Sequence, residues 1–126
     1  MNKKEAPLFV LIFIFLAAWI IFIQFIGSSG AIELLYRYQV DKAVHFLGGF
    51  VVMGVLFRLV GIRVRSSLLL LLVTAILWEV FELLVLPDVI DLYQRNFELW
   101  RNDTIGDLIL GMVGGILAFI AYRDPK

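Results

Sequence analysis

Asp103–Ala118 reads DTIGDLILGMVGGILA, and the spacing of its small and acidic residues decides the fold predicted for this chain. On a helix with ~3.6 residues per turn, one stripe collects Asp103, Asp107, Gly111, Gly114, Gly115 and Ala118. The step from Gly111 to Gly115 is a small-xxx-small pattern, which lets membrane helices approach each other closely. Because small residues face neighbouring helices, the acids on the same stripe are predicted to point into a helical bundle.

Two earlier segments also place ionisable residues on one helical face. The first segment combines them with small residues: Asp41, His45, Gly48, Gly49 and Val52. The second reads Trp78-Glu79-x-x-Glu82, which puts two carboxylates three residues apart and pointing the same way. Together the three segments predict a group of ionisable side chains buried between helices.

Four apolar segments are long enough to cross a hydrocarbon core about 30 Å thick, which needs ~20 helical residues. They run from about 7 to 26, 43 to 60, 67 to 86 and 104 to 122. We therefore predict an all-α fold in which residues 1–126 form a single membrane domain, an integral membrane four-helix bundle. A cleaved signal peptide is the alternative for the first segment, but the uncharged run from Ala6 to Ile32 far exceeds the ~7–15 residues of a signal-peptide core.

The composition supports a membrane protein and excludes several soluble classes. Apolar residues make up 62% of the chain and the mean hydropathy is +0.96, against roughly 45–50% apolar residues in soluble domains. The balance of 11 Lys+Arg with 11 Asp+Glu lacks the basic excess of a nucleic-acid-binding protein. With 0 cysteines, disulfide scaffolds and thiolate metal sites are excluded. We expect the lipid bilayer as a partner and no nucleic acid, while the sequence leaves oligomerisation open.

The first and third connections combine aromatic and charged residues, in Ile32–Tyr38 and Leu92–Trp100. Both are predicted to form short interfacial helices with their aromatic side toward the membrane. A loop packed over the mouth of the bundle is the alternative.

The distribution of basic residues predicts the orientation. With four spans, the two termini and the second connection lie on one side, which carries seven basic residues: Lys3, Lys4, Arg58, Arg63, Arg65, Arg123 and Lys126. The other side carries four: Arg37, Lys42, Arg95 and Arg101. By the positive-inside rule, both termini are predicted to be cytoplasmic in a multi-pass protein of the cell (cytoplasmic or inner) membrane. The acids and His45 then lie in the outer half of the bundle.

That half carries five acids and one histidine: Asp41, Glu79, Glu82, Asp103, Asp107 and His45. A charged group at the bilayer centre costs ~2.5–3.5 kcal/mol, so these acids either hold protons or are neutralised by cations. The available basic residues are Arg37, Lys42 and Arg101. Because three cations do not balance five acids, a divalent metal is predicted to fill the deficit. Oxygen-rich ligands with one imidazole suit Mg²⁺, Mn²⁺ or Ca²⁺, and Zn²⁺ is also compatible.

This hypothesis assigns each residue a role. The candidate metal ligands are His45, Asp103, Asp107 and Asp41. The candidate catalytic residues are Glu79 and Glu82, of which one would act as general base, and the candidates for binding an anionic headgroup are Arg37, Lys42 and Arg101. Structural roles are the alternative: Asp41 and either Asn102 or Asp103 at helix N-caps, His45 hydrogen-bonded to a carbonyl, and the two glutamates protonated or paired with Arg101.

The order of these motifs resembles that in small polytopic inner-membrane proteins of the VanZ-like and YjdF-like families. The resemblance covers Asp41 to Ala118 and rests on Asp41-Lys42-x-x-His45-Phe46, Trp78-Glu79-x-x-Glu82 and Asp103-Thr104-x-x-Asp107-Leu108. Glu82 and Asp107 stand where the VanZ-like pattern has amides, so the chain is closer to the YjdF-like type. What the resemblance implies is a shared architecture and polar site rather than a reaction.

Three functions fit these patterns. The first is metal-assisted chemistry on a lipid-linked phosphate headgroup, in which the ion polarises a phosphoryl oxygen or activates water. The second is non-enzymatic binding or transport of a lipid, a precursor or an ion. The third is a structural subunit of a membrane complex, whose acids would bond to a partner's helix.

Overall fold

The computed structural model describes residues 6–25, 39–85 and 96–123, with side chains omitted at 19–25 and 85. Regular structure in these ranges is entirely helical, which confirms the predicted all-α class for the described residues. The helices are α1 (Ala6–Phe25), α2 (Val40–Gly54), α3 (Val64–Val85) and α4 (Phe97–Tyr122). One π-helical turn, Val55–Leu59, extends α2.

The helices have the length and composition of membrane spans. Val40–Leu59, Val64–Leu84 and Phe97–Tyr122 are each long and apolar enough to cross a bilayer, and α1 is apolar over its described side chains. Large apolar side chains such as Leu84 and Phe13 are exposed on the outer surface, at 78% and 74%. Such a surface is stable when lipid rather than water surrounds it.

An apolar core lies at one end of the bundle. All four helices contribute to it through Leu8, Met53, Leu71, Ala118 and Tyr122. These residues stand near the starts of α1 and α3 and near the ends of α2 and α4. Successive helices therefore run in opposite directions, and the core lies at the end where α1 begins and α4 ends. Because Leu8 is fully buried there, α1 is packed as part of the bundle.

The small residues of α2 and α4 bring these two helices into backbone contact. A Cβ atom added at Gly49 would overlap the carbonyl oxygen of Gly111, and one added at Gly114 would overlap the carbonyl oxygen of Phe46. The predicted close approach along the glycine stripe is thereby confirmed. Each glycine stripe continues into acidic residues at the end of the bundle opposite the apolar core. The contact between the stripes therefore also brings the acidic residues of α2 and α4 side by side.

Both helix starts differ from the predicted N-caps. Asn96 caps α4, because its side-chain oxygen accepts from the backbone N–H of Glu98 at 3.1 Å and of Leu99 at 3.3 Å. Asp103 therefore lies within the helix, and its predicted capping role is wrong. Asp41 lies in the first turn of α2, after Gln39 in the cap position, so its capping role is also wrong.

The third connection also differs from its prediction. Phe97–Trp100 is the first turn of α4, so a separate interfacial helix over Leu92–Trp100 is wrong for its described part. The helix continues because Asn96 caps it and no proline or glycine interrupts Phe97–Ile105. The other predicted interfacial helix, Ile32–Tyr38, lies outside the described residues.

Candidate functional site

Three helices bring their ionisable residues together at the end of the bundle opposite the apolar core. The first turns of α2 provide Asp41, Lys42 and His45, and α4 provides Asp103 and Asp107. The last turns of α3 provide Glu79 and Glu82. The predicted convergence is confirmed, and contacts divide it into two groups that share Asp107.

The first group surrounds the ammonium of Lys42. Its Nζ atom lies 2.8 Å from Asp107 Oδ1 and 3.4 Å from Asp41 Oδ2, and it also donates to Asp103 Oδ1. One positive charge is therefore shared among three carboxylates. Because the ammonium lies where a cation would bind them, Lys42 competes with a metal for this group.

The second group consists of His45, Glu79 and Asp107, one residue from each of three helices. His45 Nε2 lies 3.7 Å from Glu79 Oε1 and 3.9 Å from Asp107 Oδ2. One ligand atom from each residue lies within 4.8 Å of the others, and the two acids are only 7% and 3% exposed. This group has the nitrogen and oxygen donors of a divalent-metal site.

The spacing in this group fits ligands of one ion better than direct hydrogen bonds. Protein hydrogen bonds of this kind span about 2.7–3.2 Å, which is shorter than both distances from His45. Two atoms that each lie ~2.0–2.2 Å from a Zn²⁺ ion are at most ~4.4 Å apart, when they lie on opposite sides of it, and both distances from His45 fall below this limit. Glu79 Oε1 is buried and has no hydrogen-bond partner within the described part of the chain. A buried oxygen of this kind needs a proton or a cation.

Two neighbouring side chains orient the acids toward His45. Thr104 Oγ1 donates to Glu79 Oε2 at 3.0 Å, which leaves Oε1 facing the imidazole. Lys42 holds Asp107 Oδ1 in the same way and leaves Oδ2 facing it. Thr104 was not among the predicted site residues, although it precedes Asp107 by three residues and shares its helical face.

Glu82 lies outside both groups. Its Oε1 atom accepts a 2.6 Å hydrogen bond from Trp78 Nε1, one helical turn earlier on α3. Trp78 is therefore a hydrogen-bond donor as well as a packing residue. Its i, i+4 spacing with Glu82 places the two side chains on the same helical face, so this hydrogen bond could have been predicted from the sequence.

The basic residues predicted to bind a headgroup have different positions. Lys42 lies inside the acidic group, while Arg101 is exposed and lies 3.6 Å from Glu98 Oε1. The structural alternative in which Glu79 and Glu82 pair with Arg101 is wrong, since their oxygens contact Thr104, His45 and Trp78. Arg37 lies outside the described residues.

Comparison of the chain with protein-family models, curated proteins and solved structures found no match. The resemblance of Asp41–Ala118 to the VanZ-like and YjdF-like families therefore stays a prediction from its motifs. What the site can do chemically follows from the geometry of His45, Glu79 and Asp107.

Proposed function

We propose that this membrane protein binds a divalent metal between His45, Glu79 and Asp107 and uses it in chemistry on a lipid-linked phosphate headgroup. The observation that carries the proposal is the buried Oε1 atom of Glu79, which has no hydrogen-bond partner among the described residues and lies 3.7 Å from His45 Nε2. An ionised carboxylate in that position is costly unless a cation neutralises it. An ion bound to all three residues would meet this need.

The donor set favours Zn²⁺ or Mn²⁺ among the predicted metals. Imidazole suits Zn²⁺ and the two carboxylates suit Mn²⁺, whereas Mg²⁺ and Ca²⁺ are bound mainly by oxygen ligands. Catalytic zinc sites use three protein ligands and leave one position open for water or substrate. A metal in that setting supplies a Lewis acid for a phosphoryl oxygen or activates a water molecule.

The surrounding residues would orient the ligands and the substrate. Thr104 holds Glu79, and Lys42 holds Asp107, so both carboxylates keep one oxygen free for the ion. Because Glu79 becomes a ligand in this arrangement, Glu82 is the acid that remains for proton transfer. Arg101, exposed on the second turn of α4, is placed to attract an anionic headgroup at the membrane surface.

Metal titration of the purified full-length protein tests this proposal. We expect the wild type in lipid nanodiscs to bind one Zn²⁺ or Mn²⁺ per chain and to unfold at a higher temperature when the ion is present. Glu79→Gln removes the negative charge of this ligand with little change in volume and should weaken binding at least ~10-fold. Glu98→Gln is the matched control, since Glu98 is exposed and contacts Arg101.

The outcomes of this titration separate the alternatives. Binding that Glu98→Gln preserves and Glu79→Gln loses supports the site. Failure of the wild type to bind either ion, or equal binding by Glu79→Gln, contradicts it.

A second candidate function is proton or ion relay without catalysis. It is favoured by the continuous line of ionisable groups from Asp103 through Lys42 and Asp107 to His45 and Glu79, in which neighbours lie within 3.9 Å. In this case the buried oxygen of Glu79 would hold a proton. Proton flux into vesicles that persists in the presence of a metal chelator and is lost in Asp107→Asn would favour relay over metal chemistry.

A further inference from the structure

An apolar cavity of about 300 Å³ opens between α1, α2 and α3 and reaches His45. We refer to it as the lateral groove. On α3 its wall includes Leu71, Ala75 and Trp78. From Leu71 to Trp78 is seven residues, or about 10 Å of helix at ~1.5 Å per residue. Its volume lies at the lower end of the ~300–1,000 Å³ of ligand pockets.

The lining of the groove suits hydrocarbon rather than water. Among the described residues, His45 is the ionisable one on its wall, and the Thr74 hydroxyl already donates to the Leu70 carbonyl at 2.8 Å. A buried water needs 2–4 polar partners, which the described part of this wall does not offer. Leu16 and Val44 line the groove and are also exposed on the lipid-facing surface, so the groove is open to the side.

Small residues keep the groove open. Gly48 has no side chain, and a Cβ atom there would already lie 3.4 Å from the Phe15 ring across the groove. Ala75 has the same effect on the α3 wall. Larger side chains at these two positions would fill the space between the three helices.

The groove and the metal group meet at His45. Its ring lines the groove, while its Nε2 atom faces Glu79 and Asp107. A molecule that lies along the groove and ends at this imidazole must therefore be apolar along its length and polar at one end. Membrane lipids have this form, and lipid surrounds the open side of the groove.

We infer that the lateral groove holds one hydrocarbon chain of a phosphate-headed membrane lipid and thereby brings its headgroup to His45, Glu79 and Asp107. The inference rests on the proposed function, because it identifies where the hydrocarbon part of that site's substrate binds. Entry is sideways from the bilayer, past Leu16 on α1 and Val44 on α2.

Photocrosslinking tests this occupancy. The full chain is reconstituted in phosphatidylcholine vesicles that contain a small fraction of phosphatidic acid with a diazirine midway along one acyl chain. After illumination, mass spectrometry maps the labelled residues. We expect labelling on the groove wall to exceed, several-fold, the labelling of lipid-facing positions such as Leu117 on α4, which is exposed.

Two variants block the groove from different sides. Ala75→Phe fills it from α3 and Gly48→Leu fills it from α2, and each should reduce groove labelling several-fold. Ala121→Phe is the matched control, because Ala121 is exposed on α4 and does not line the groove. Uniform labelling of all lipid-facing surfaces, or groove labelling that both blocking variants leave unchanged, would overturn the inference.

Zinc titration of the same samples separates this inference from the proposed function. Both blocking variants should still bind the metal, since neither replaces a ligand. Metal binding without groove labelling overturns the groove inference alone. Groove labelling without metal binding overturns the metal chemistry and leaves the groove as a lipid-binding site.

Discussion

Thr104 Oγ1 on α4 donates a 3.0 Å hydrogen bond to Glu79 Oε2 on α3, and this bond turns the other carboxylate oxygen toward His45. The bond crosses between two helices at a partly buried position. It therefore couples the packing of α3 against α4 to the geometry of the candidate metal group.

Thr104→Val should weaken metal binding. Valine keeps the shape of threonine but removes the donor, so the Glu79 carboxylate is free to rotate away from His45. Loss of such a supporting hydrogen bond typically costs ~10–100-fold in metal affinity. Calorimetric titration with Zn²⁺ measures the change, and Thr104→Ser, which keeps the hydroxyl, should bind nearly as the wild type. Equal affinity in Thr104→Val and wild type would contradict the orienting role.

Lys42→Met should destabilise the protein and create a new dependence on divalent cations. It leaves Asp41, Asp103 and Asp107 without their shared ammonium. The loss of a hydrogen bond to a charged group costs about 1.5–3 kcal/mol. The cost per bond is smaller here, because Lys42 is partly exposed to solvent. Thermal unfolding in detergent should show a lower midpoint that Ca²⁺ or Mg²⁺ partly restores. Arg101→Met, at an exposed position, is the control. A variant as stable as the wild type, with no response to the ions, would show that Lys42 does not hold the acids together.

Gly49→Ala should disrupt the contact between α2 and α4. Its Cβ atom would overlap the backbone of Gly111, which cannot move aside as a side-chain end can. Gly106→Ala is the comparison on α4, where the atom nearest to an added Cβ is at the flexible end of Lys42, 3.7 Å away. Alanine there should be tolerated or stabilise the helix by about 0.5–1 kcal/mol. Unfolding midpoints of the two variants in the same detergent compare them, and similar midpoints would contradict the close approach.

Cysteine labelling tests the predicted orientation. The chain has 0 cysteines, so a single introduced cysteine reports its own side of the membrane. Glu98 and Arg63 are exposed near opposite ends of the bundle. A membrane-impermeant maleimide added to intact cells should label Glu98→Cys, and should label Arg63→Cys only after permeabilisation. The reverse pattern would place the ionisable groups on the cytoplasmic side.

Much of the fold was predictable because it depends on local patterns. Runs of apolar residues located the four helices to within a few residues, except at the start of α4, which Asn96 caps and which begins at Phe97, seven residues earlier than predicted. The error has a physical cause. Phe97–Asn102 is amphipathic rather than uniformly apolar. A helix boundary predicted from hydropathy therefore falls at the start of the apolar run, although the helical backbone hydrogen bonds begin earlier.

The candidate site was predictable as a set of residues but not as an arrangement. Periodicity placed Asp107, His45 and Glu79 on inward faces, since the side-chain direction follows from position on a helix. The spacing along each helix contains no information on which oxygen of Asp107 faces Lys42 and which faces His45. That choice depends on side-chain rotamers and on the distance between helices.

The sequence by itself determined that this chain forms apolar helices whose acidic and small residues share faces, because hydropathy and helical period act over neighbouring residues. Only the tertiary structure decided that three acids share the ammonium of Lys42 and that Glu79 keeps a buried oxygen facing His45. The physical reason is the backbone contact of Gly49 with Gly111, which sets the distance between α2 and α4. At that distance, Lys42 reaches Asp103 and Asp107 across the interface, and Asp107 comes to belong to both groups.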